Sequence, residues 1–228
     1  MNDLSHNLLY LKATLAGFVI VLAVAFFFPG MRRLMLLGGV ALVPSSPLAV
    51  LHQQSYWSAE RLFGWSYGIE DILFCFSIGS LSVFCGYVFK SSPLILQYTV
   101  PGIIKKSSFL LMLLGLLYFS AFLFGFDIME ATIAVQITLA LTLISLDGRH
   151  GKTAMLGALL YTTYYAAFFI LFSYFFPSFP DLWNGRDLWP LRLFSIPFEE
   201  IVWVFSFTYM WLNVIGFLFS PETKKTCS

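Results

Sequence analysis

Residues Ser195–Ser206 have the sequence SIPFEEIVWVFS, in which two adjacent acids, Glu199 and Glu200, stand at the start of a long apolar run. A similar stretch, Ser66–Ser77 (SYGIEDILFCFS), lies 129 positions earlier. In both stretches a serine precedes a Gly or Pro, two acids follow, and an apolar segment begins. Serine is a favoured N-cap and proline suits the first helical turn, so each stretch predicts a helix start. The recurrence predicts an internal repeat.

The composition around these stretches indicates a membrane protein. Hydrophobic residues make up 59% of the chain and charged residues only 11%, with a mean hydropathy of +0.82. A soluble domain is about a quarter charged, and a nucleic-acid binder has a basic stripe, so both classes are excluded. The three cysteines and three histidines are scattered and show no metal-ligand spacing. We therefore expect neither a metal nor another cofactor.

A spanning helix needs about 20 mostly apolar residues, and seven runs approach that length. The second run is the weakest, because Pro44 and Pro47 interrupt it and predict a kink. The first run is expected to be retained as a span rather than removed as a signal peptide, since its front is acidic and no small-residue cleavage site follows. The predicted runs are Leu8–Pro29, Leu34–His52, Ile69–Phe89, Phe109–Phe126, Ile128–Leu146, Thr153–Phe176 and Pro197–Phe219.

The acid pairs open the third and seventh runs, which cross the membrane in the same direction. This predicts an all-α integral membrane protein with a parallel 3+1+3 repeat. Parallel repeats bring equivalent helices together around an axis along the membrane normal, so the two acid pairs are expected to face one shared cavity. The predicted divisions of this single domain, 1–228, are a first repeat at 1–90, a linker and connecting helix at 91–126, a second repeat at 127–220 and a tail at 221–228.

Charges divide strongly between the two faces that seven spans define. The net charge of +1 separates into about +7 on one face and about −6 on the other. The positive-inside rule then predicts a cytoplasmic C-terminus and an outer N-terminus, in a bacterial inner or plasma membrane. Trp57, Trp65, Trp183 and Trp189 are predicted to form an outer interfacial belt. The bases assigned to the cytoplasmic face are Arg32, Arg33, Lys90, Lys105, Lys106, Arg149, Lys152, Lys224 and Lys225.

The 3+1+3 layout, with Pro197-Phe198-Glu199-Glu200-Ile201-Val202-Trp203 at the head of the last helix, resembles the lycopene cyclase domain. This is the integral-membrane type of the bacterial heterodimeric and fungal fused carotenoid cyclases. Gly68-Ile69-Glu70-Asp71-Ile72-Leu73-Phe74 is a degenerate version of the same motif, with Gly for Pro and Asp for the second Glu. His52-Gln53 stands where the pattern would place an acid. The chain thus resembles a divergent member of that family.

The resemblance implies a redox-neutral isomerisation of an isoprenoid, in which an acid protonates a terminal double bond and the carbocation closes a ring. Such an acid must stay protonated near neutral pH, and burial and a neighbouring carboxylate both favour the neutral carboxyl group. The predicted catalytic residues are Glu70, Asp71, Glu199 and Glu200. Adjacent helical residues point about 100° apart, and Glu70 and Glu199 are favoured as cavity-facing because they are identical in both halves. The alternative is that these acids only complement the helix dipoles in a wet interface.

A carbocation also needs aromatic faces around it, each contributing about 0.5–2 kcal/mol. The predicted substrate-binding residues are Phe74, Trp203, Tyr209 and Tyr165, and the last belongs to a cluster, Tyr161–Phe169, on the sixth run. Packing or lipid contact is the alternative role for any one of them.

Two other classes of function stay open. The first is a non-enzymatic protein that binds or transports lipid with altered acids, and the second is a structural subunit of a membrane complex. Asp127 and Glu130 are predicted interfacial charges, and the Asp147–Lys152 segment is predicted as a cytoplasmic turn without P-loop spacing. The expected partners are the bilayer and a hydrophobic isoprenoid or other lipid, with no nucleic acid; homo-oligomerisation is left open.

Overall fold

A computed structural model describes residues 8–53, 55–90, 94–183 and 188–223. Several residues that enter the charge and cysteine predictions lie outside these ranges, namely Asp3, His6, Arg186, Asp187, Lys224, Lys225 and Cys227.

Seven helical spans account for most of the described chain, and each is long and apolar enough to cross a membrane; the second, Pro29–His52, consists of α2 and the 3₁₀ stretches on either side of it. The prediction of an all-α integral membrane protein is therefore confirmed. Short strands form two antiparallel pairs, β1 (Leu94–Leu96) with β4 (Pro221–Thr223) and β2 (Arg192–Leu193) with β3 (Ile196–Pro197). The helices are α1 (Leu9–Phe27), α2 (Arg32–Leu42), α3 (Ile69–Tyr87), α4 (Val100–Leu123), α5 (Ile128–Leu146), α6 (Gly151–Phe175) and α7 (Phe198–Phe219).

The second span changes its helix type where the prolines occur. The α-helical part ends at Leu42, and a 3₁₀ stretch, Val43–His52, continues the span. Pro44 and Pro47 have no N–H to donate, so the α-helical ladder is interrupted there. The interruption predicted from these prolines is present, as a change to 3₁₀ geometry.

The fourth helix begins nine residues earlier than the predicted run. The predicted run begins at Phe109 and leaves Lys105 and Lys106 on the cytoplasmic face, whereas α4 starts at Val100 and contains both. The Thr99 side chain accepts a hydrogen bond from the Gly102 N–H at 3.2 Å, which caps the helix. The Lys106 Nζ donates to the Phe217 carbonyl at the end of α7, so its charge lies at an end of the bundle.

In each half, the third helix packs against the two that precede it: α3 against α1 and α2, and α7 against α5 and α6. The halves meet where α3 crosses α6, at a point where Gly86 and Gly157 allow a close approach. A Cβ atom on Gly157 would lie 2.6 Å from the Gly86 Cα. The packing agrees with a repeat of three helices, but the 3+1+3 symmetry itself stays a prediction.

The tryptophans predicted as one interfacial belt divide into two groups. Trp65 and Trp189 are exposed, as such a belt requires, whereas Trp57 and Trp183 are buried. For Trp57 and Trp183 the prediction is wrong, because the segments before α3 and α7 fold back over the ends of the helices and bury both rings.

The predicted turn between α5 and α6 is present as a single 3₁₀ turn, Gly148–His150. The Arg149 guanidinium donates to the Asp147 carboxylate at 2.7 Å and lowers the pKa of that carboxyl group to about 2. The acid and the base of this turn therefore pair with each other.

Candidate functional site

All four predicted acids lie in the first turn of α3 or α7, and all are buried. The exposed fraction is 1% for Glu70, 0% for Asp71, 1% for Glu199 and 4% for Glu200. Acids that only complemented helix dipoles in a wet interface would remain solvated. Their burial requires specific partners, since an unpaired buried carboxylate is costly. The four acids differ in the groups that contact them. Asp71 and Glu200 accept mainly from side chains, whereas Glu70 and Glu199 accept from backbone N–H groups.

The second acid of the first pair, Asp71, is held in an ion pair. The Arg61 guanidinium donates from Nε to Oδ2 at 2.7 Å and from Nη2 to Oδ1 at 3.0 Å. The Tyr10 hydroxyl donates to Oδ1 at 3.1 Å, and the Gly68 N–H donates to Oδ2 at 2.8 Å. Asp71 therefore caps α3 as a neutralised carboxylate.

The second acid of the other pair, Glu200, has three uncharged donors and no basic partner among the residues that the structure describes. The hydroxyls of Tyr56 and Tyr165 each donate at 2.6 Å, and the Trp183 indole N–H donates at 3.0 Å. Burial and the neighbouring Glu200 carboxyl group raise the pKa of the Tyr56 hydroxyl, so this donor keeps its proton. Within the described part of the chain, Glu200 is thus held in position by uncharged donors alone.

The first acids of both pairs contact the segments that precede their helices. One oxygen of Glu70 accepts from the Leu62 N–H at 2.6 Å, and the corresponding oxygen of Glu199 accepts from the Trp189 N–H. In both residues the second carboxyl oxygen, Oε2, is buried and has no hydrogen-bond partner among the residues with a described structure. Glu70 and Glu199 therefore make the same kind of contact at equivalent positions.

A cavity of about 140 Å³ lies beneath the second pair, and Glu200 is the only acid among the described residues that line it. Phe74 and Trp203, which occupy equivalent positions in the two repeated segments, stack across it with ring centroids 6.2 Å apart. The other lining residues are Tyr10, Ala13, Thr14, Gly17, Ala49, His52, Tyr56, Trp57, Ser77, Ile78, Leu81, Met129, Tyr161, Tyr164, Tyr165, Phe168, Phe179 and Trp183.

The cavity differs from the predicted one in which acid it contains. We expected Glu70 and Glu199 to face it, but the structure places Glu200 in its wall and directs Glu70 and Glu199 toward backbone N–H groups. The two acid pairs are also unequal, because Asp71 of the first pair forms an ion pair with Arg61.

Three of the four predicted substrate-binding residues, Phe74, Trp203 and Tyr165, line the cavity. Tyr209 does not; its ring stacks on Phe205 at 6.2 Å, one turn away on the same helix. Tyr209 lies further along α7, beyond the part that contributes to the wall.

Sequence reasoning missed the donors that come from the connecting segments. Tyr56 and Trp183 both donate to Glu200, yet neither belongs to a span. Tyr10 was also missed, although it is in α1 and donates to Asp71. Their amphipathic ring types were visible in the sequence, but nothing in the spacing indicated which acid they would contact.

The fold and this arrangement define a class: a seven-helix integral membrane protein with a buried carboxyl group in an apolar, aromatic-walled cavity. The family model for lycopene cyclase matches residues 127–218, which include α5, α6 and α7 with both Glu199 and Glu200. The resemblance to the lycopene cyclase family found in the sequence is therefore confirmed over this segment. The match supports a carotenoid cyclase-like function. No match was found among the curated proteins or the solved structures compared with the chain.

Proposed function

We propose that this protein is a membrane-embedded cyclase that isomerises the end group of an isoprenoid lipid, with Glu200 as its acid. One observation carries the proposal: a buried carboxyl group with three uncharged donors lies in the wall of an apolar cavity. The family match over α5–α7 supports the same conclusion, since it includes this residue.

The proposed reaction starts with proton transfer from the Glu200 carboxyl group to the terminal carbon–carbon double bond of the ligand. The resulting tertiary cation is attacked by the π electrons of a nearby double bond, and a carbon–carbon bond closes the ring. Loss of a proton from a ring carbon to the Glu200 carboxylate forms a new double bond and restores the acid. The product is an isomer of the substrate, so no oxidant, reductant or metal is required.

The residues around Glu200 suit each charge state in this sequence. The Tyr56, Tyr165 and Trp183 donors stabilise the carboxylate that forms once the proton has left. The stacked rings of Phe74 and Trp203 present π faces beside the same space, where a cation gains about 0.5–2 kcal/mol per ring. The apolar wall also keeps water from trapping the cation.

The size of the cavity favours the end of a long ligand over the whole of it. A cavity of about 150 Å³ in a protein core accepts a benzene-sized molecule, and this one is about 140 Å³. It therefore has room for one six-membered ring, while the rest of a polyprenoid chain would extend toward the bilayer. The charge distribution supports an arrangement with this end of the bundle outside and the C-terminus in the cytoplasm.

The test is to express the full chain in cells that accumulate lycopene or another acyclic polyprenoid. The extracted lipids are then separated by chromatography, and their masses are measured by mass spectrometry. We expect a new product of unchanged mass from the wild-type chain and none from Glu200→Gln, because glutamine has no carboxyl proton to give. The matched control is Glu60→Gln, an exposed acid just ahead of the site, which should behave as wild type. Equal product from wild type and Glu200→Gln would refute the proposal.

A second candidate is a protein that binds or carries an isoprenoid without changing it. The Arg61–Asp71 ion pair favours this candidate, since it removes one of the four acids from proton transfer. A binding protein would co-purify with unchanged polyprenoid, and Glu200→Gln would leave the amount bound unaffected.

A further inference from the structure

The two acids of each pair have different partners, and the difference is the same in both halves. Glu70 and Glu199 each accept one backbone N–H from the segment that leads into their helix, at Leu62 and Trp189 respectively. The second acids, Asp71 and Glu200, instead accept mainly from side chains, and Asp71 also accepts from the Gly68 N–H of its own helix cap.

The segments held in this way also carry partners of the second acids. The segment before α3 supplies Arg61 to Asp71 at 2.7 Å and Tyr56 to Glu200 at 2.6 Å. Leu62, whose N–H contacts Glu70, is the residue next to Arg61. A shift of this segment would therefore move partners of both second acids.

The segment before α7 has the same organisation. Arg192, three residues after Trp189, donates from Nη2 to the Trp183 carbonyl at 2.8 Å, and the Trp183 indole then donates to Glu200 at 3.0 Å. Glu199 thus contacts a segment in which Arg192, three residues further on, holds the backbone of a Glu200 donor.

We propose that Glu70 and Glu199 are positioning residues: each fixes the segment before its helix so that this segment presents donors to the second acids. This inference rests on the proposed function for its catalytic consequence, but the contacts themselves do not depend on turnover. The two neighbouring glutamates of the α7 motif then have separate roles: Glu200 donates the proton, and Glu199 positions the segment before α7.

A positioning glutamate needs only an acceptor oxygen, so glutamine should replace it and alanine should not. We expect the Trp189-containing peptide of purified full-length protein to exchange its amide hydrogens about tenfold or more faster in Glu199→Ala, because a partly buried hydrogen bond to the Trp189 N–H is lost. In Glu199→Gln the slow exchange should be largely kept. The same comparison at Glu70 should affect the Leu62-containing peptide. Glu60→Ala, on the exposed neighbour, is the control.

The catalytic arm uses the lipid assay. Glu199→Gln should lower product formation less than Glu199→Ala does, whereas Glu200→Gln should abolish it. Unchanged exchange in Glu199→Ala would overturn the inference. So would a Glu199→Gln variant that keeps slow exchange yet loses product as fully as Glu200→Gln, since Glu199 would then be the acid. If wild type forms no product, the proposed function fails and the exchange result still decides the positioning role.

Discussion

The buried ion pair between Arg61 and Asp71 makes the sharpest stability prediction. Its side chains are 1% and 0% exposed, and two hydrogen bonds of 2.7 and 3.0 Å join them. Removing one partner of a buried pair costs about 3–5 kcal/mol, because the other charge is left without compensation. Asp71 would keep the donors Tyr10 and Gly68 after Arg61→Met. We therefore expect a loss near 3 kcal/mol for that variant.

Asp71→Asn should cost a similar amount, because it leaves the Arg61 cation buried. The double variant should cost much less than the sum of the two, with a coupling energy of about 3 kcal/mol, since neither charge then remains. The measurement is the free energy of unfolding of each purified variant in detergent, followed by tryptophan fluorescence. Glu60→Gln, one residue away and exposed, should stay within about 0.5 kcal/mol of wild type.

Two results would refute this reasoning. Single-variant losses below about 1 kcal/mol would describe a solvated surface pair instead of a buried one. Strict additivity in the double variant would show that the two charges do not interact.

Two further predictions test the packing and the orientation. Gly157→Ala should destabilise the protein by about 1–3 kcal/mol, because its new methyl group would meet the Gly86 backbone. The control, Gly115→Ala, has open space around it and should be neutral or slightly stabilising. Thermal unfolding in detergent measures both variants, and equal effects would contradict the α3–α6 crossing. The orientation is tested in a chain whose native cysteines are replaced by serine. Glu60→Cys should react with an impermeant maleimide on intact cells, whereas Gly148→Cys should react only after permeabilisation. The reverse pattern would invert the proposed orientation.

The spans were predictable because apolar length alone determines them. The run Ile128–Leu146 matches α5 at both ends, since Asp127 and Asp147 flank it. Asp127 caps the start of α5, and Asp147 caps the 3₁₀ turn that follows it. The start of α4 was not predictable from hydropathy, because Lys105 and Lys106 lower the local average while still lying in the helix. Whether a helix can begin with lysines depends on whether their ammonium groups find acceptors, and here Lys106 donates to the Phe217 carbonyl.

The site was predictable in part. The repeated acid pairs lie at the starts of α3 and α7, and Phe74, Trp203 and Tyr165 line a cavity, while their role toward a substrate stays a prediction. The choice between Glu199 and Glu200 was not predictable, since neighbours on a helix point about 100° apart and the rotation of α7 is set by its packing. Tyr56 and Trp183 were missed because connecting segments have no periodicity that predicts their path.

The pairing of Asp71 with Arg61 has a consequence for the order of events on a long ligand. A symmetric acyclic polyprenoid such as lycopene has two chemically equivalent ends, whereas the described residues place a single acid in the wall of this cavity. If the second half of the protein has the acid and the first half has an ion pair, one protein molecule cyclises one end of the ligand each time the ligand binds. The half-finished, one-ringed molecule must then withdraw, turn end for end in the bilayer and return, or meet another copy of the protein. Under this mechanism a one-ringed product accumulates before a two-ringed one.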